Sequence, residues 1–207
     1  MRRLLILCGV FSPLVYIFMT ILGGEMREGY SHVYHAVSEL LEAGAPNKPL
    51  MDTLLLLSNI LSILFGFGVL LLVRESHYKR RFGIIGASLL IFTGVLGFII
   101  TLFFPMDPRN IAITFTGLMH LVLVGVLSIL GIVTPVFFAV WFKKQPDFSR
   151  YSTYSFITVI IILVTGGFAV FSALTESPIM GLAERVTIAA NFQWTIVVAL
   201  KMYLTSN

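Results

Sequence analysis

The chain has 207 residues, 57% of them apolar and 12% charged, with a mean hydropathy of +0.96. That composition excludes an ordinary water-soluble domain of this length and indicates a polytopic membrane protein. The formal charge of +4 comes with no interleaved basic and aromatic motif, which excludes a nucleic-acid partner.

Apolar stretches of roughly 20 residues can cross about 30 Å of hydrocarbon as helices that satisfy their own backbone hydrogen bonds. Six such stretches occur, at residues 4–22, 53–73, 82–104, 117–142, 153–174 and 186–204. Charged, Gly-containing or Pro-containing connections bound them. The expected fold is all-α: one six-span membrane domain over residues 1–207, with no room for a separate soluble domain. The first span follows Arg2 and Arg3, and no small-residue cleavage site precedes Glu25, so it reads as an uncleaved anchor. Cys8 is the only cysteine, which rules out an intramolecular disulfide.

Orientation follows from the basic residues, which are retained on the cytoplasmic side. In a six-span arrangement Arg2, Arg3, Arg74, Lys79, Arg80, Arg81, Lys143, Lys144, Arg150 and Lys201 share one side, opposed only by Glu75 and Asp147. The other side carries Arg27, Lys48, Arg109 and Arg185 against Glu25, Glu28, Glu39, Glu42, Asp52, Asp107, Glu176 and Glu184. Both termini are therefore expected in the cytoplasm, and the outer face is acidic. Gly83, Gly86, Gly94 and Gly97 in the third span, Gly117, Gly125 and Gly131 in the fourth and Gly166 and Gly167 in the fifth are expected to admit close helix contacts, with the third span central.

The connection over residues 23–52 holds the most informative polar residues. A short outer helix there would gather Glu28, His32, His35 and Glu39 in one stripe, at intervals of four, three and four. Two imidazoles beside a carboxylate suit zinc or another divalent metal, although two histidines alone leave the site incomplete. A surface helix at the headgroup level would show the same residues to water. Asp107 follows the third span between Pro105 and Pro108. His120 lies within the apolar run of the fourth span, where an ionisable group needs protein partners or a wet cavity. It is a candidate metal ligand with His32, His35 and Asp107, or a neutral imidazole bonded to Asp107 or a backbone carbonyl. Glu184 and Arg185 stand at the start of the sixth span. The acid suits a helix N-terminus, and the guanidinium suits a phosphate or carboxylate. Trp194 is either interfacial or packed.

The ordered series Ser12-Pro13, Gly29-Tyr30-Ser31, Ser38-Glu39-Leu40, Gly44-Ala45-Pro46, Phe104-Pro105-Met106-Asp107, His120 and Gly181-Leu182-Ala183-Glu184-Arg185 resembles a family of bacterial and archaeal membrane proteins, the domain of unknown function 998. The likeness spans nearly the whole chain. It implies a six-span bundle in a prokaryotic plasma membrane and supplies no reaction. A more remote likeness is to the membrane hydrolase superfamily of the alkaline ceramidases, which implies Ser, Asp and His residues around zinc. This chain lacks the late paired-His signature of that superfamily.

Two functions remain open. One is a metal-dependent hydrolase of lipid or lipid-linked substrates at the outer leaflet, where the metal activates a water. Glu39, Asp107, His120 and Glu184 would be its catalytic groups, with Tyr30, Ser31, Ser38 and Arg185 binding substrate. The other is a non-catalytic sensor or accessory module that recognises a lipid, a peptide or a partner protein. The spans lack deep charges and an inverted repeat, which disfavours a transporter. The enzyme requires His32, His35, Asp107, His120 and Glu184 to converge.

Overall fold

The computed structural model describes residues 1–75, 80–109 and 111–205. Lys79, counted above with the basic side, lies outside the described residues. The chain forms α1 (Arg2–Glu25), α2 (Lys48–Arg74), α3 (Arg80–Phe103), α4 (Phe115–Phe142), α5 (Ser149–Leu174) and α6 (Met180–Thr205), with no strand among the described residues. Among the described residues five helices, α1 to α5, are long and apolar enough to cross a membrane. At about 1.5 Å per residue α6 reaches about 39 Å, long enough to cross as well, but Glu184, Arg185, Asn191, Gln193 and Lys201 make it less apolar.

Each helix packs on its chain neighbours, and α6 returns to α1, closing a ring. Neighbours run antiparallel. Ser12 Oγ donates to the Ser58 carbonyl and Ser58 Oγ to the Ser12 carbonyl, each at 2.9 Å, while Arg2 pairs with Glu75 toward the helix ends. On the closing seam Arg3 stacks over Tyr203 at 4.5 Å and Tyr16 meets Phe192 edge-on at 5.0 Å. The start of α1 and the end of α6 therefore share one end of the ring, with Arg2, Arg3 and Arg74.

The glycines of α3 serve two neighbours. A Cβ at Gly86 would lie 2.9 Å from the Phe138 ring of α4, and one at Gly97 only 2.5 Å from Asn59 Oδ1 of α2. α3 is thus a tightly packed wall of the ring, where a central helix was expected. Gly125 and Gly167 have nothing within 4 Å of a built Cβ, so the close contact expected of them does not form. Trp194 is packed, 1% exposed, and its indole N–H donates to Ser155 Oγ at 2.9 Å.

At the opposite end the α1–α2 connection folds inward. The expected outer helix is replaced by successive turns and a single 3₁₀ turn, Val37–Leu41. Val37, Leu40 and Leu41 enter a cluster with Met19 of α1 and Met51 of α2, which plugs this end of the ring. Burying these apolar side chains stabilises the plug by about 1.5–3 kcal/mol each.

Candidate functional site

The backbone of the connection explains why the histidine stripe does not form. Gly29 is left-handed, with φ +72°, a conformation that interrupts a helix and favours glycine. Beyond it the Ser31 N–H donates to His35 Nδ1 at 2.9 Å, and the Ala36 N–H to Glu39 Oε1 at 2.8 Å. The His32 and His35 carbonyls, which a helix would use internally, accept instead from Arg185 Nη1 at 2.9 and 2.8 Å. A tertiary cation has taken the acceptors that a local helix needs.

Arg185 is the organiser of this end. Nη1 also meets the Gly181 carbonyl at 2.9 Å, and Nη2 donates to the Tyr30 hydroxyl at 2.5 Å. The hydroxyl in turn donates a hydrogen bond to the Ala36 carbonyl at 2.8 Å. Burial pushes the Tyr30 phenol up to about 12, against the opposing pull of Arg185, so it stays protonated and keeps donating. His35 stacks on Tyr30 with centroids 5.2 Å apart, and His32 meets it edge-on at 5.3 Å. Burial and the neighbouring guanidinium lower the His32 pKa, which favours its neutral form. Two further bonds fix α6 to the connection: the Leu182 N–H to the Val33 carbonyl at 2.9 Å, and the Val37 N–H to Glu184 Oε2 at 2.8 Å.

A second set of contacts ties the connection to the α3–α4 loop. Glu39 is 2% exposed, and its Oε1 accepts from Arg109 Nη2 at 2.6 Å as well as from Ala36. Ionic pairing with Glu39 raises the Arg109 pKa against its desolvation, and the guanidinium lies over the Tyr34 ring at 4.6 Å. Arg27 donates to the Glu39 carbonyl and to the Glu42 carboxylate. The Ala43 N–H meets the Met106 carbonyl at 2.9 Å, and Ser38 Oγ contacts Met106 Sδ at 2.9 Å.

Asp107 and His120 lie together at this loop, each with a defined partner. Asp107 accepts from the Thr114 N–H at 2.7 Å and its hydroxyl at 2.9 Å, bracing the residue that caps α4. His120 Nδ1 donates to the Phe104 carbonyl at 2.7 Å and so links the end of α3 to α4. Beneath lies a small cavity of about 30 Å³, bordered by Asp52, Thr101 and His120 among apolar groups. Asp52 Oδ2 pairs with Lys48 at 2.6 Å, and its buried Oδ1 has no hydrogen-bond partner among the described residues. The volume and the polar lining suit one water.

The larger concavity is a groove of about 390 Å³ between α1 and α6, within the range of small-molecule sites, about 300–1,000 Å³. Tyr16, Ile17, Thr20 and Ile21 form one wall and Ile188, Ala189 and Phe192 the other, with Val37, His32 and Arg185 completing the lining. Ile17 and Ile21 are exposed, which places the groove on the flank of the ring.

The sequence candidates therefore divide. Tyr30, His32, His35, Glu184 and Arg185 gather at the start of α6, whereas Ser38, Glu39, Asp107 and His120 serve the joint with the α3–α4 loop; Ser31 is exposed beside His35. Among the described residues no three His, Cys, Asp or Glu side chains come together in a way that could hold a metal ion. The helical stripe behind the metal expectation is absent, with the left-handed Gly29 interrupting the segment and the His32 and His35 carbonyls bound to Arg185. Sequence reasoning missed Asp52 and Thr101, which border the small cavity, and the groove residues Tyr16, Thr20, Ile188 and Phe192. Tyr16 and Thr20 share a helix face at i and i+4, a detectable polar break in an apolar span, but nothing local announces that α6 lies opposite.

No curated protein and no solved structure matches the chain. A family model described as "Protein of unknown function (DUF998)" matches residues 10–201, and the chain belongs to that family.

Proposed function

We propose that this protein is a six-span module of the cell membrane, its termini cytoplasmic, that binds a lipid from the extracytoplasmic leaflet in the groove between α1 and α6. The groove is the observation that carries the reading: mainly apolar walls on two helices, broken by the Tyr16 and Thr20 hydroxyls, end at His32 and Arg185. Such a shape suits an amphipathic guest, with a hydrocarbon chain between the helices and its head at the border of the apolar zone. The positive-inside bias supports placing that border on the outer face. The separated His, Asp and Glu side chains favour binding over metal-assisted hydrolysis.

The test is to purify the chain in mild detergent and count retained lipid by native mass spectrometry, comparing it with Ala189→Trp. Ala189 is an exposed wall residue, and an indole there narrows the groove while leaving the ring interior untouched. Retained lipid that is lost in the variant supports the reading. Equal lipid in both folded proteins contradicts it.

A further inference from the structure

Four cations, Arg27, Lys48, Arg109 and Arg185, lie at the end of the ring that holds the α1–α2 connection, and three are neutralised. Arg27 pairs with Glu42, Lys48 with Asp52 at 2.6 Å and Arg109 with Glu39 at 2.6 Å. Among the described residues Arg185 forms no ion pair. Its partners are three carbonyls and a phenol, all neutral, and they use Nη1 and one position on Nη2. A guanidinium carries five N–H donors. Nε and the second Nη2 hydrogen of Arg185 have no acceptor among the described residues. The neighbouring Glu184 carboxylate accepts from the Val37 N–H and attracts Arg185 through space without bonding to it directly.

A half-buried cation beside an apolar groove gains from a directly bonded anion, and a guanidinium with spare donors matches a phosphate in shape as well as sign. Arg185 also stands immediately before the apolar run of α6. We infer that the occupant of the α1/α6 groove is a phospholipid with a net negative headgroup, its phosphate held by Arg185 and its chain lying between the helices. This rests on the lipid-binding reading above and adds the headgroup class.

The experiment titrates the purified, delipidated full chain with phosphatidylglycerol or phosphatidylcholine and counts bound lipid by native mass spectrometry. Phosphatidylglycerol should be retained about tenfold more tightly, the effect of one charge-assisted bond. The preference should shrink as salt rises, survive in Lys48→Gln and largely in Arg185→Lys, and vanish in Arg185→Gln. Arg185 also holds the connection, so Ala189→Trp serves as a second variant with the guanidinium in place; it should release both lipids.

Equal retention of the two lipids, or a preference indifferent to salt, would overturn the headgroup assignment and leave the groove reading standing. Failure of the wild-type chain to retain either lipid would overturn both. Displacement of phosphatidylglycerol by inorganic phosphate at equal concentration would overturn the lipid source and mark a soluble-anion site.

Discussion

Arg185 and Tyr30 meet across 155 positions of the chain, the guanidinium donating to the phenol oxygen at 2.5 Å and the phenol donating onward to the Ala36 carbonyl at 2.8 Å. This relay joins the start of α6 to the α1–α2 connection, so its members should differ in what their loss costs. Tyr30→Phe removes one hydroxyl and should cost about 1 kcal/mol. Arg185→Ala strands the His32, His35 and Gly181 carbonyls and should cost about 3 kcal/mol. Thermal unfolding in detergent checks the order; equal losses would mean that the relay does not organise this end.

Gly181 and Gly24 make a sharper pair. A Cβ at Gly181 would lie 2.3 Å from the His35 backbone oxygen, whereas one at Gly24 would lie 2.4 Å from the far end of the His32 imidazole. The ring can turn away, but the backbone cannot without breaking the bonds to Arg185. Gly181→Ala should therefore cost about 1–3 kcal/mol and expose residues 26–36 to protease, while Gly24→Ala should leave cleavage near the wild-type rate.

His120 has a hydrogen-bonding role that substitution can separate from ligand chemistry. His120→Ala loses the bond to the Phe104 carbonyl and enlarges the cavity beside Asp52, for a loss of about 2–3 kcal/mol. His120→Asn keeps a donor on a short side chain and should recover part of that loss. Unfolding measurements on the two variants decide it; identical losses would argue against a role for the Phe104 bond.

The His32 pKa is lowered below 6.5 in the folded chain, first by burial and then by Arg185. The folded state thus binds fewer protons here than the unfolded state, so the contribution of His32 is full above 6.5 and is lost as pH falls through the lowered value. The protection factors of the amides over residues 30–37, which remove the intrinsic slowing of exchange in acid, should fall on acidification across that window. In His32→Gln that fall should be reduced; an unchanged profile would assign it to another group.

Six helices could be read from the sequence, because long apolar runs carry their own length and composition; among the described residues five of them are apolar enough to cross a membrane. The expected span 186–204 falls inside α6, whose start at Met180 lies earlier because Gly181 and Arg185 bind the connection. The connection itself could not be read in the same way. The spacing of Glu28, His32, His35 and Glu39 fits a helix, but the carbonyls that decide the matter are bound by a guanidinium 150 positions away at His35. Asp107 and His120 stood out as polar groups beside apolar helices, and a backbone carbonyl was one partner expected of His120, but nothing in the sequence singles out that of Phe104 or pairs Asp107 with the Thr114 N–H and hydroxyl. The groove was hidden for a related reason: each wall is unremarkable in its own helix, and only the α1/α6 seam makes a cavity.

Site-specific photocrosslinking in native membranes tests the central claim most directly. A photoreactive residue at position 189 reports from the groove, and one at position 160, where Ile160 is 61% exposed on α5, reports on bulk lipid. Occupation of the groove predicts a high yield of one lipid class at 189, suppressed by adding that lipid, and a mixture at 160 that follows membrane composition. The same yield and the same mixture at both positions would contradict it.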